Sequence, residues 1–267
     1  MEMFKVKDRY QLEDFILLVR RLRDKQDGCP WDRVQTHDSI RQNFIEETYE
    51  AVDAIDKKNN DLLMEELGDV LLQVALHAEI SKEEGAFDIE DVVDTLCKKL
   101  VLRHPHIFGE VSAKTSDIVL ANWEDIKRQE KEQKTASQAI DDLPNSLPPL
   151  MKSQKVQKRA AYVGFDYPSF EYALEDLISE TEELRHAIED KADPIEEIGD
   201  IIFAAVNVAR LLDIDASLAA ERACTKFVER FKYVEEKAIE ENIDMKNASL
   251  DTLNNLWNDA KKHLNKE

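Results

Sequence analysis

Glycine and cysteine are both scarce in this chain, at six and three residues among 267. The glycines are scattered and no GxxxxGK run occurs, which excludes a backbone loop that cradles phosphates; side chains must hold any phosphate the protein binds. Cys29, Cys97 and Cys224 are odd in number and no two lie close together, which excludes a disulfide framework and a thiolate zinc site; a reduced, cytoplasmic protein is expected. Long hydrophobic runs are missing too. The most apolar stretches, near Val70 to Leu76 and Ile201 to Ala209, are too short to span a bilayer, and the opening MEMFKVKDRYQLED lacks the apolar core of a signal peptide, so no membrane partner is expected. Positive charge is in deficit. With 36 basic against 57 acidic side chains the formal net charge is −21, which repels a nucleic-acid backbone and disfavours a polymer partner. A small anionic substrate fits such a chain only where cations are recruited locally, and that points towards metal.

Glu, Lys, Leu and Ala are abundant, and few glycines or prolines interrupt them, so the composition favours an all-α fold. Apolar residues recur at helical spacing in Phe15, Leu18, Val19 and Leu22, and again in Leu67, Val70, Leu71, Val74 and Ala78. Ile198, Ile201, Ile202, Ala205, Val208, Ala209 and Leu212 form a third such face, preceded by Asp193 as N-cap and Pro194 as first helical residue. Further helix starts are marked by Asp88, Asp215 and Ser249. The pattern predicts about five helices in each half.

From Lys134 to Pro149 the periodicity is lost and Pro, Ser and Asn gather, as in a linker. It separates residues 1–133 from 150–267, each long enough to bury its own core. The same features follow one another on both sides. EETYE (46–50), EELGD (65–69), KKLVLR (98–103) and NWEDIK (122–127) in the first half are matched by SETEE (179–183), EEIGD (196–200), KFVER (226–230) and LWNDAK (256–261) in the second. Four matches in one order identify a tandem repeat of one helical unit.

Glu47 and Glu50 are three residues apart and share a helix face, as do Glu66 and Asp69 on the next helix. Asn59-Asn60 between them suits a tight turn, so two antiparallel helices bring the four carboxylates together. Each unneutralised like-charged pair at about 4 Å costs on the order of 4 kcal/mol at an effective dielectric near 20, so convergence demands a cation. An all-oxygen set without His or Cys selects a hard ion such as magnesium. A single ExxE is more often a solvated acidic face. Here ExxE followed by ExxD occurs twice, the second time as Glu180, Glu183, Glu197 and Asp200 beside another apolar stripe, which favours metal.

These motifs resemble the MazG family of all-α nucleoside triphosphate pyrophosphohydrolases, whose hallmark is EExxE followed on the next helix by ExxD. GCPWD (28–32), QTHDSI (35–40), RHPHIFG (103–109) and VGFDY (163–167) look like that family's too, so the likeness covers nearly the whole chain. It implies a tandem-domain homodimer that hydrolyses ribo- and deoxyribonucleoside triphosphates to a monophosphate and pyrophosphate with Mg2+, or with Mn2+ in its place. It makes Glu180, Glu183, Glu197 and Asp200 metal ligands, with Glu47, Glu50, Glu66 and Asp69 as their first-half counterparts, and gives the second half priority in general hydrolysis. Glu46 becomes a candidate base in the first half. The chain departs from the pattern at Ser179, which replaces the leading Glu, and at Asp176 and Asp193, where relatives often carry lysine.

Lys226 and Arg230, four apart on one helix, are candidates to bind the polyphosphate, and Lys99 and Arg103 repeat them. Trp257 and Trp123 sit alike in the two final helices; spacing alone makes them core residues, whereas the resemblance makes Trp257 a nucleotide contact. Two other readings remain beside the hydrolase. A di-iron carboxylate bundle needs ExxH twice, and only Glu183 with His186 fits. A helical regulator with degenerate sites would account for Ser179 and the acidic departures.

Overall fold

The computed structural model describes residues 4–109 and 115–264, and these hold twelve α-helices and no strand. The chain divides into two compact units, Met1–Lys127 and Arg128–Glu267. Unit 1 contains α1 (Leu12–Leu22), α2 (Arg41–Asp56), α3 (Asn60–Glu83), α4 (Ile89–Arg103) and the single turn α5 (Pro105–Phe108); α6 (Ser116–Glu130) runs across the boundary. Unit 2 contains α7 (Ala136–Asp141), α8 (Pro149–Ala161), α9 (Phe170–Glu189), α10 (Ile195–Leu211), α11 (Ala216–Glu240) and α12 (Leu250–Leu264). Of the 134–149 stretch, residues 136–141 are helical, because Thr135 and Gln138 form a reciprocal capping box that satisfies the first turn.

The centre of unit 1 is the hairpin of α2 and α3, with α1 laid against α3. Val19 of α1 meets Ala75, Leu76 and Ile80 of α3 and Ile40, the N-cap residue of α2, with Phe15, Ile16 and Leu72 packed around them. The hairpin turn lies at Lys58, which takes the left-handed conformation (φ 52°). The Asn59-Asn60 pair read as a tight turn instead opens α3: the Asn59 side chain accepts from the N–H groups of Asp61 and Leu62, both at 3.2 Å, as an N-cap does.

Arg23 fixes the segment that leads into α2. It is only 4 % exposed, and its guanidinium donates to Glu83 at 2.8 and 3.1 Å and to the carbonyls of Asp32 and Gln35 at 2.6 and 3.2 Å. One fork thus ties the end of α1, the loop containing GCPWD and QTHDSI, and the end of α3. His37 of that loop adds a 2.7 Å Nδ1–Nδ1 hydrogen bond to His77 of α3.

Unit 2 repeats the plan, with α9 and α10 as the hairpin and α8 against α10 and α11. Its turn also passes through a left-handed lysine, Lys191 (φ 60°). Pro194 is the N-cap of α10 rather than its first residue, and Asp193 accepts from the Ile195 N–H at 3.1 Å, so the cap expected there lies one residue further on. Asp88 and Asp215 cap α4 and α11 as their positions in the sequence suggest. A second cluster joins α11 to α12 through Val234, Ala238, Leu256 and Ala260.

The apolar faces read from the sequence are only partly covered. Leu67 and Leu71 of α3, and Ile198 and Ile202 of α10, are exposed. We expect Arg23→Ala to destabilise unit 1 by about 3 kcal/mol, because it strands Glu83 and two loop carbonyls without their partner. Hydrogen exchange read separately over α1–α3 and α9–α10 checks this; unchanged protection in α1–α3 would contradict it.

Candidate metal centre

Each hairpin converges carboxylates. In unit 1, oxygens of Glu47 from α2 and of Glu66 and Asp69 from α3 lie within 4.8 Å of one another. In unit 2 the same holds for Glu180 and Glu183 from α9 and Glu197 from α10. Helical spacing puts each pair on one face, and the capped turns set the two helices in register. Glu50 and Asp200, the remaining members of the expected quartets, stand outside these groups of three but act on them electrically: the charge of Glu50 pushes the Glu66 carboxyl up, and that of Asp200 does the same to Glu180.

The acids are held against their preference. The Glu47 carboxyl is pushed above the usual carboxylate range by partial desolvation first, then by the charges of Asp69, Glu50 and Glu66. Glu66 is raised by desolvation, then by Glu50, Glu65 and Asp69, and Glu180 by desolvation, then by Glu183, Asp200, Asp176 and Glu197. The donor set is entirely oxygen, which suits a hard divalent ion such as magnesium. His186, the one candidate for an iron-binding ExxH, lies 3.9 Å from Glu189 at the end of α9 and is not among the grouped ligands.

Two departures acquire a local role. Ser179 donates from Oγ to Glu183 at 3.3 Å, orienting one of the clustered carboxylates instead of adding another. Its counterpart Glu46 is exposed and accepts from Gln42 at 3.4 Å. Desolvation first and then Asp176, one turn before Glu180, push the ionisation of the Tyr167 phenol to higher pH.

The basic candidates come from other helices. Arg230 of α11 sits 5.9 Å from the Trp257 ring of α12, and Phe227 tilts against the same ring at 5.2 Å. The Arg230 Nε is buried without a hydrogen-bond partner, while Lys226 is exposed. Trp257 also packs on the α11–α12 cluster, so it serves the core whatever else it does. Unit 1 reproduces the pairing, with Arg103 5.3 Å from the Trp123 ring; Lys99 is exposed. Spacing alone missed these cation–π pairs, although KFVER with LWNDAK and KKLVLR with NWEDIK carry their residues in both halves.

The model of the MazG nucleotide pyrophosphohydrolase domain matches residues 35–108 and again 169–235, one match over each hairpin. The chain belongs to the MazG family. The nucleoside triphosphate pyrophosphohydrolase of Escherichia coli (strain K12) is 42% identical over 256 residues, covering 94% of this chain and 97% of that protein. The nucleoside triphosphate pyrophosphohydrolase/pyrophosphatase MazG of Thermotoga maritima is 42% identical over 249 residues, 93% of this chain and 95% of its own length.

Carboxylates crowded for a ligand weaken the metal-free fold. In EDTA, Glu180→Gln is therefore expected to unfold at a higher temperature than the parent chain, and to gain less when Mg2+ is added. A lower midpoint in EDTA, or an undiminished Mg2+ shift, would contradict this reading of the site.

Proposed function

We infer that this chain hydrolyses nucleoside triphosphates to a nucleoside monophosphate and pyrophosphate, and that Glu180, Glu183, Glu197 and Asp200 hold the Mg2+ this requires, Mn2+ substituting. The observation that carries the metal assignment is the approach of carboxylates from two helices to within 4.8 Å, with desolvation and mutual repulsion acting on Glu180. When bound, such an ion neutralises charge on the phosphate oxygens and favours in-line attack of water. Glu197 and Glu183 supply anionic oxygens from facing helices, and Ser179 holds Glu183 in orientation. Lys226 and Arg230 bind the polyphosphate, the guanidinium being kept in place by Trp257. Unit 1 offers Glu47, Glu50, Glu66 and Asp69 for a second site, where Glu46 is the candidate base that accepts the proton from water.

We assign general hydrolysis to unit 2. A cytoplasmic homodimer is part of the same reading: exposed apolar residues on α3 and α10 present surface that a second copy would cover, and no helix among the described residues is long and apolar enough to cross a membrane.

Removing a ligand costs several kcal/mol of transition-state stabilisation, so Glu197→Ala should lower kcat/KM by about two orders of magnitude or more, whereas Glu66→Ala should retain most activity. Arg230→Ala, a change compatible with helix, should weaken substrate binding. Phosphorus NMR of the products from several triphosphates tests all of this. Orthophosphate and a diphosphate as products would overturn the reaction, and a dead Glu66→Ala beside an active Glu197→Ala would reverse the assignment of the units.

A further inference from the structure

Unit 2 contains a cleft of about 430 Å3 between α8, the VGFDY loop, α9 and α10, a size that suits a small organic ligand. The loop turns away from α8 at Gly164 (φ 85°), where the Phe165 N–H returns to Ala160 O at 3.2 Å and the Gly164 N–H to Ala161 O at 2.9 Å; the left-handed turn requires glycine. One side is braced by Arg210, which donates to Asp166 and Asn207. On the other side Gln157 of α8 lines the cleft and is only 6 % exposed. Its Nε2 donates to the Phe203 carbonyl at 2.7 Å, which fixes the amide orientation because a carbonyl cannot donate. Its Oε1 is left buried with no hydrogen-bond partner. A buried acceptor without a partner costs free energy, and a ligand N–H would satisfy it.

The cleft adjoins the carboxylates along both helices of the hairpin. Asp176, which lines it, stands one turn before Glu180 on α9, and Phe203, which also lines it, stands three residues after Asp200 on α10. Because the two helices run antiparallel, these steps lead in one direction. We propose that this cleft receives the nucleobase of the triphosphate, with Gln157 Oε1 accepting from a base N–H while the phosphates reach the carboxylates; the inference rests on the function inferred above. Each common base carries an N–H on its pairing edge, so one acceptor serves purines and pyrimidines alike. Aligning EELGD with EEIGD pairs Phe203, Ala204 and Asn207 with Leu72, Gln73 and Leu76. Leu76 is a core residue with Leu72 packed beside it, and Gln73 is buried, so unit 1 places larger or apolar side chains at those positions.

Steady-state hydrolysis of ATP, GTP, CTP and UTP by the full chain, by Gln157→Leu and by Ala204→Leu tests the assignment, together with saturation-transfer NMR of adenosine and cytidine. Gln157→Leu should raise KM about three- to tenfold with kcat little changed, the span of one hydrogen bond made equally in ground and transition states. Ala204→Leu, which fills the cleft, should raise KM further and abolish saturation transfer to both nucleosides. Circular dichroism must show both variants folded; should Gln157→Leu fail to fold, Ala204→Leu decides. Parental KM in the folded variants, or no saturation transfer to nucleosides in the parent chain, would overturn the cleft assignment. A parent chain that binds nucleosides in a manner lost in Ala204→Leu but hydrolyses no triphosphate would instead overturn the function and leave the cleft standing.

Discussion

Like charges forced together are the constraint around which both units are organised. Three carboxylates with oxygens inside 4.8 Å of one another repel, and partial burial sharpens the penalty, as the upward push on Glu47, Glu66 and Glu180 records. Such a cluster persists only if the helices that bear it are held by interactions elsewhere. In unit 1 these are the Val19–Leu76 core, the capped turn at Asn59 and the Arg23 fork. In unit 2 they are the packing of α8 on α10 and the Asp193 cap. The stability of the hairpins is thus set against the repulsion on their facing sides, which the proposed divalent cation would offset.

Much of this was legible in the sequence because it depends on local spacing. ExxE and ExxD place acids on helix faces by periodicity alone, and their repetition separates them from ordinary acidic surfaces. The N-caps at Asp88 and Asp215 are equally local. What could not be read is tertiary. Nothing near Arg23 in sequence announces that its partner is Glu83, some 60 residues on. Nor does Arg230 reveal its place against Trp257. The turn at Asn59-Asn60 was misplaced by one residue because asparagine suits both a left-handed turn and an N-cap; here capping takes Asn59 and the strain falls on Lys58.

The two units also show how one plan yields different surroundings for the same carboxylates. Glu46 at the head of one motif is matched by Ser179 in the other, which hydrogen-bonds Glu183 rather than supplying charge. Behind the carboxylates, Leu76 fills a core while the corresponding Asn207 lines an open cleft and braces Arg210. The pairing of arginine with tryptophan survives in both. Divergence has therefore fallen on the residue that heads the carboxylate motif and on the space behind the carboxylates.

If the clustered acids are cation ligands rather than a solvated acidic face, they bind a divalent ion and lose it when their carboxylates are removed. Electron paramagnetic resonance of Mn2+, titrated into the parent chain and into a variant carrying Glu180→Gln and Glu197→Gln, measures this directly. Bound Mn2+ is expected in the parent and the loss of one class of sites in the variant, with competition by Mg2+. Mn2+ binding unaltered by the double substitution, or none in the parent chain, would contradict it.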